Sequence, residues 1–149
     1  MLTSTTVFAP IVGIFRINDD LLPKVLTGLS PEQVWHRLTD KTNPALWIVG
    51  HLAQTRADIL ALTGNPFDTG WADLFARGSS VGNPEKYPSI EEIQRVLSQI
   101  NQKFYATLES LREDQLSADK LAGFALHDSY HLGQLAYIRK ELGYSAIVG

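Results

Sequence analysis

Three of the four histidines are spaced so that they could bind a metal ion together. His127 and His131 are four residues apart, so on a helix their side chains share one face, with Cβ atoms about 5–6 Å apart. Two imidazole nitrogens at this spacing can bind the same ion, each at about 2.0–2.1 Å. His51, on another predicted helix, can supply a third nitrogen and leave coordination positions open for water or substrate. The residues therefore predict a three-histidine site for one divalent metal ion.

A purely structural role for these histidines is the alternative. Helical angles of 100° per residue place all three on apolar stripes that face the core. A buried neutral imidazole needs partners for both ring nitrogens, which backbone groups or carboxylates would then have to provide. Asp58 and Asp128 border the same stripes and are candidate acceptors that orient a histidine. His36 has no partner at metal-ligand spacing, so we expect it to be structural or on the surface.

Composition excludes several other kinds of chemistry. The chain has no cysteine, which rules out disulfides, thiolate nucleophiles and cysteine-bound zinc or iron–sulfur clusters, so any thiol must come from outside. Thirteen basic and 16 acidic side chains give a net charge of −3, without the basic surplus that nucleic-acid binding needs. There is no apolar run of about 20 residues and no signal-peptide pattern at the N-terminus. We therefore expect a cytoplasmic protein with neither nucleic acid nor membrane as a partner.

The elements that carry these residues are all predicted to be helices. A length of 149 residues is typical of one domain, here residues 1–149. Apolar residues recur at helical spacing in four long segments, and strand alternation persists nowhere. We predict an all-α protein, a four-helix bundle with short extra helices. The long helices cover about residues 9–26, 44–63, 90–111 and 119–142, and the short ones lie near 30–38 and 71–77.

Residues 64–88 form a long connection between the second and third main helices. The connection contains four glycines and three prolines but also several aromatic residues. Connections of this length in small domains are usually functional. Trp71 and Phe75 are therefore candidates for the lid or wall of a small-molecule pocket. The alternative is that they only cover one end of the bundle.

Two of the predicted helices are apolar on both sides, which predicts a homodimer. A helix with two apolar faces buries both of them. The faces opposite the core stripes carry Leu126, Tyr130, Gly133 and Tyr137 on the last helix, and Leu46, Val49, Ala53 and Leu60 on the second. Coverage by the short helices and the 64–88 connection within one chain is the alternative.

Two segments resemble the signatures of one known superfamily. Residues 43–53 (NPALWIVGHLA) are similar to the second-helix signature of the DinB-like (damage-inducible) superfamily. Residues 127–135 (HDSYHLGQL), followed by Arg139 and Leu142-Gly143, are similar to its last-helix signature. The resemblance covers most of the chain, including the helix order and the long connection.

The resemblance implies an up-down-down-up four-helix bundle, often dimeric, with nickel or zinc held by three histidines. These ligands map onto His51, His127 and His131. Characterised relatives include S-transferases that use bacillithiol, mycothiol or glutathione, and a mycothiol-dependent maleylpyruvate isomerase. The family thus implies a metal-dependent enzyme that transfers a low-molecular-weight thiol to an electrophilic small molecule. A metal-dependent hydrolase with Asp128 as a catalytic base, and a non-catalytic metal- or ligand-binding stress-response module, are the alternatives.

Overall fold

Helices account for all the regular structure in the part of the chain that the computed structural model describes, residues 4–79 and 81–148. These residues contain no strand, which confirms the predicted all-α class. The short elements are one single-turn helix, Ala72–Phe75, and two 3₁₀ turns, Gln33–Trp35 and Pro84–Lys86. In chain order the helices are α1 (Ser4–Leu26), α2 (Ala45–Leu62), α3 (Ala72–Phe75), α4 (Ile90–Glu109) and α5 (Ala118–Glu141).

Local sequence signals account for several of the helix starts. Ser89 and Ser117 cap α4 and α5, each accepting a hydrogen bond from the backbone N–H three residues later. Ser30 and Gln33 form a reciprocal pair of side-chain to backbone hydrogen bonds. This pair starts only a single 3₁₀ turn, and not the predicted helix through residue 38, because the backbone becomes extended at His36.

The long helices share one apolar core. The most extensive contacts are between α1 and α5 and between α2 and α4, and further contacts join α2 to α5 and α1 to α4. Buried apolar side chains from all four helices form a single cluster. Within the described residues, no helix combines the length and the apolar character needed to cross a membrane.

Contacts at their ends show that α2 and α4 run in the same direction. Leu46 and Ile90, which lie at the starts of the two helices, line the same surface groove. Asn65, just after α2, donates a hydrogen bond to Thr107 near the end of α4. Two neighbouring helices with this arrangement need a connection that returns along their length, which residues 63–89 provide.

Contacts between α1 and α5 likewise indicate their relative direction. Asn18 donates to Asp128 at 2.9 Å, in the middle of both helices. Arg139, in the last turn of α5, donates to the carbonyls of Val25 and Thr27 at the end of α1. The two helices therefore run in the same direction.

Between α1 and α4, earlier residues of one helix contact later residues of the other. Asp19 accepts a hydrogen bond from Asn101, whereas Arg16, one turn earlier on α1, lies 4.1 Å from the ring centroid of Tyr105, one turn later on α4. These two helices therefore run in opposite directions.

A buried polar layer around Arg56 joins all four long helices. Arg56 is 3% exposed and forms ion pairs with Asp19 of α1 at 2.7 Å and Asp128 of α5 at 3.2 Å. The same guanidinium donates to Asn101 of α4. Burial raises the pKa of Asp19, and the neighbouring Arg56 charge opposes that increase. The name Arg56 layer refers to Asp19, Arg56, Asn101 and Asp128.

The apolar faces proposed for dimerisation have different environments on the two helices. The α2 residues are at most 2% exposed, so this part of the prediction is wrong: α3, α4, α5 and the first 3₁₀ turn pack around α2 within the chain. The buried residues are Leu46, Val49, Ala53 and Leu60. The α5 face is open, with Leu126, Tyr130 and Tyr137 exposed by 71%, 62% and 72%.

Candidate metal centre

The three predicted histidine ligands lie together between α2 and α5. The Nε2 atom of His127 is 3.0 Å from Nε2 of His51 and 3.1 Å from Nε2 of His131. One ligand atom from each residue lies within 4.8 Å of the others. Two nitrogens that bind one ion at about 2.0–2.1 Å are about 2.9 Å apart at a right angle and about 3.3 Å apart at the tetrahedral angle. Both separations from His127 thus fit ligands of a single ion.

Contacts on two sides hold the ring of His51. The ring stacks on Trp47, one helical turn earlier, with centroids 4.8 Å apart and an interplanar angle of 14°. Its Nδ1 atom lies 2.8 Å from the carbonyl oxygen of Phe75. A carbonyl can only accept, so Nδ1 carries the proton and Nε2 presents its lone pair to the cluster. This is the tautomer that a metal ligand needs.

Gln134 orients His131 in the same way. The Nδ1 atom of His131 lies 2.7 Å from Oε1 of Gln134, so it donates to the amide oxygen and leaves the Nε2 lone pair directed at the cluster. The buried Nδ1 of His127 has no partner among the described residues. Two lone pairs therefore face the Nε2 atom of His127 at about 3 Å. Such an arrangement requires a proton or a cation between the rings.

Burial keeps the three imidazoles neutral. Desolvation lowers the pKa of each histidine, and the neighbouring rings of His131 and His51 help to bring the pKa of His127 down to about 4. The carbonyl of Phe75 opposes this decrease at His51, and Gln134 opposes it at His131. Neutral imidazole is the form that binds metals, so near pH 7 no proton has to be displaced from a charged ring.

Neither aspartate that was expected to orient a histidine does so. Asp128 follows His127 directly, but it lies 100° around the helix and faces α1, where its carboxylate belongs to the Arg56 layer. Asp58 lies about two turns from His51 along α2 and accepts a hydrogen bond from Gln54. The observed acceptors are a backbone carbonyl and an amide. The role of Asp128 as a catalytic base stays a prediction.

A glycine allows α3 to approach α2 closely. A Cβ atom at Gly50 would lie 2.2 Å from Cε1 of Phe75, whereas carbon atoms in contact are normally about 3.5–4.0 Å apart. Trp47 Nε1 donates to the carbonyl of Leu74 at 3.1 Å and holds the same segment. The Phe75 carbonyl therefore reaches His51 only because residue 50 has no side chain.

A cavity of about 410 Å³ lies beside the cluster. His51 and Phe75 are buried, whereas Arg77 and Lys120 are exposed, so His51 lies at the inner end of the cavity and the charged residues at its rim. Phe124 lines it from α5. The volume is within the range of small-molecule sites.

The remaining sequence predictions have mixed outcomes. Phe75 is part of the cavity wall, as predicted. Trp71 is not among the lining residues; its ring contacts that of Phe75 edge-on, with centroids 6.0 Å apart. His36 lies outside the cluster, with Nε2 3.6 Å from a carboxylate oxygen of Glu141.

No protein-family model matches the chain, and no curated protein matches it. The resemblance to the DinB-like superfamily therefore stays a prediction.

Proposed function

We propose that the chain is a metal-dependent enzyme of the DinB-like type, in which His51, His127 and His131 bind one divalent ion, nickel or zinc. The convergence of three neutral imidazoles on one point, two of them in a fixed tautomer, carries this proposal. Three protein ligands leave coordination positions open for an exchangeable group. When bound, such an ion supplies Lewis acidity and lowers the pKa of a thiol or water that it coordinates.

The proposed reaction is the transfer of a low-molecular-weight thiol to an electrophilic small molecule. The chain has no cysteine, so the thiol comes from solution. A sulfur–carbon bond forms while the bond from carbon to the leaving group breaks; the leaving group takes the electron pair and the thiol proton passes to solvent. The ring of Phe124 binds the apolar part of the electrophile, and the buried ring of Phe75 keeps water from the inner end of the cavity.

The same proposal includes an up-down-down-up four-helix bundle. It is supported by the common direction of α1 and α5, the common direction of α2 and α4, and the opposite direction of α1 and α4. Bundles with neighbouring helices in the same direction require long crossover connections, and residues 63–89 have the necessary length.

We also propose that a second copy of the chain covers the open apolar face of α5. Leu126, Tyr130 and Tyr137 form this face, and large exposed apolar groups of this kind commonly mark an interface. Light scattering is expected to give twice the chain mass of 16.5 kDa for the wild type. The double variant Tyr130→Lys with Tyr137→Lys is expected to give the mass of the monomer. A wild-type monomer at micromolar concentration would refute the dimer.

Elemental analysis of protein purified without an affinity tag tests the metal site. We expect one divalent ion per chain, lost when His51, His127 and His131 are replaced by alanine. His36→Ala is the matched control, since this histidine lies outside the cluster, and it should retain one ion. Unchanged metal content in the triple variant would overturn the proposal.

A panel of co-substrates tests the reaction. Metal-loaded protein is incubated with glutathione, bacillithiol, mycothiol or water alone, each against aryl halides, epoxides and esters. Thiol-dependent turnover that is lost in His131→Ala supports the transferase. Turnover with water alone assigns a hydrolase instead, and equal inertness of wild type and His131→Ala in every combination assigns a binding module.

A further inference from the structure

The rim of the cavity beside the histidines carries an excess of positive charge. Arg77 and Lys120 line it together with one carboxylate, that of Asp58. Asp58 accepts a hydrogen bond from Gln54. Among the described residues, neither cation has a carboxylate within ion-pair distance. The rim thus has a net charge of +1, in a chain whose net charge is −3.

The two cations come from separate parts of the fold. Arg77 follows α3 in the long connection, and Lys120 lies in the first turn of α5. Arg77 lines the same cavity as His51 and His127. A ligand bound at this rim therefore also lies near the histidines.

The walls between the rim and the histidines are apolar. Phe75 is 0% exposed and Phe124 is half-buried. Gly123 lies beside Phe124 on α5, and a Cβ atom placed there would meet nothing within 4 Å. The helix surface is therefore open at this point, which leaves room for the body of a ligand.

We propose that the cavity selects a small organic anion with an apolar body. Arg77 and Lys120 bind its anionic oxygen group by charge-assisted hydrogen bonds, while the half-buried ring of Phe124 contacts its body. The opposite end of the ligand then lies next to the histidine Nε2 atoms. This inference rests on the proposed function only for the chemistry at that end, because recognition of the anion by the rim needs no metal.

A pair of ligands that differ only in charge tests the inference. Binding of 3-phenylpropionate and of its uncharged amide, 3-phenylpropionamide, is measured by calorimetry with metal-free and with zinc-loaded protein. We expect the carboxylate to bind at least tenfold more tightly than the amide to both forms. Arg77→Gln and Lys120→Gln should each reduce this preference several-fold, and the double variant should abolish it. Lys140→Gln, the matched control on an exposed face of α5, should leave both dissociation constants unchanged.

A second pair of variants tests the place of binding. Gly123→Leu puts a side chain into the cavity and should weaken both ligands at least tenfold. Ala122→Leu places the same side chain one position earlier on α5, where it is exposed to solvent, and should bind both ligands as wild type does. Urea unfolding of each variant shows that the fold is retained.

Two results would overturn the inference. One is equal affinity for carboxylate and amide, or a preference that survives in the double variant. The other is carboxylate binding that requires zinc and is unaffected by the double variant, since the ion and not the rim would then hold the carboxylate. A retained charge preference in protein that binds no metal would instead overturn the proposed function and leave this inference standing.

Discussion

Replacement of Gly50 by alanine should weaken metal binding although residue 50 is not a ligand. The added Cβ would lie 2.2 Å from Cε1 of Phe75. To restore an ordinary carbon contact of about 3.5 Å the ring has to move by about 1.3 Å. If the backbone of Phe75 moves with its ring, the distance from its carbonyl oxygen to Nδ1 of His51 grows from 2.8 Å to about 4 Å, which is too long for a hydrogen bond.

The size of the effect follows from the role of that carbonyl. Loss of a group that orients a metal-bound histidine typically costs about 10–100-fold in affinity, which is about 1.4–2.7 kcal/mol. Overpacking by one carbon costs about 1–3 kcal/mol of folding stability, and removal of a helical glycine offsets about 0.5–1 kcal/mol of this. We therefore expect a folded variant with a clearly lower zinc affinity.

Competition between the protein and a chromophoric chelator for zinc measures this affinity. Gly13→Ala is the matched control, because Gly13 lies in the interior of α1, away from the histidines, and a Cβ there meets nothing within 4 Å. This control should bind zinc as wild type does. The double variant Gly50→Ala with Phe75→Ala removes the clashing ring and should recover part of the lost affinity. Zinc affinity within twofold of wild type in folded Gly50→Ala would refute the reasoning that the Phe75 carbonyl orients His51.

Three further predictions concern stability. Arg56→Met leaves Asp19 and Asp128 without their cation, and we expect it to lower the free energy of unfolding in urea by about 3–5 kcal/mol; a loss below about 1 kcal/mol would contradict the Arg56 layer. The pKa of His127 is about 4 in the folded chain, against 6.5 for an unperturbed histidine such as that of the unfolded chain. Below pH 6.5 the unfolded chain therefore binds a proton that the folded chain excludes. The unfolding free energy of metal-free protein should therefore decrease as the pH is lowered from 6.5 to 4, by roughly 1–2 kcal/mol once partial exposure is allowed for. His127→Gln should remove this part of the pH profile. Superimposable profiles of wild type and His127→Gln would contradict the lowered pKa of His127. Free zinc at about 100 times its dissociation constant should stabilise the wild type by about 2.7 kcal/mol, and a melting temperature that neither zinc nor a chelator changes would speak against the site.

The fold class and the histidine cluster were predictable because both depend on helical periodicity. The spacing of His127 and His131 places them on one face of a helix. His51 lies 76 residues from His127 along the chain, but its stripe had to face the same core. The supporting groups were not predictable: the Phe75 carbonyl comes from a connection whose path has no periodic signal. Gly50 is the one available hint, since a glycine inside a helix costs about 1 kcal/mol relative to alanine and indicates close packing.

Long-range polar contacts and covered apolar faces were the other features that the sequence did not predict. Arg56 is one charged residue in an apolar stretch, and its partners are distributed over three other helices. The second apolar side of α2 was interpreted as a subunit interface, although other parts of the same chain cover it. An apolar stripe indicates that a surface is buried but does not indicate what buries it.

The Arg56 layer also limits how the helices can be aligned along one another. Apolar stripes repeat with every turn, so a helix that slips along its neighbour by one turn, about 5.4 Å, still places apolar groups against apolar groups. The same slip would carry Asp19 or Asp128 away from ion-pair distances of 2.7 and 3.2 Å and leave a charge buried alone, at a cost of about 3–5 kcal/mol. Polar groups therefore distinguish the native alignment from its nearest competitors. Because His127 is adjacent to Asp128, the same alignment determines which turn of α5 brings its imidazoles to His51.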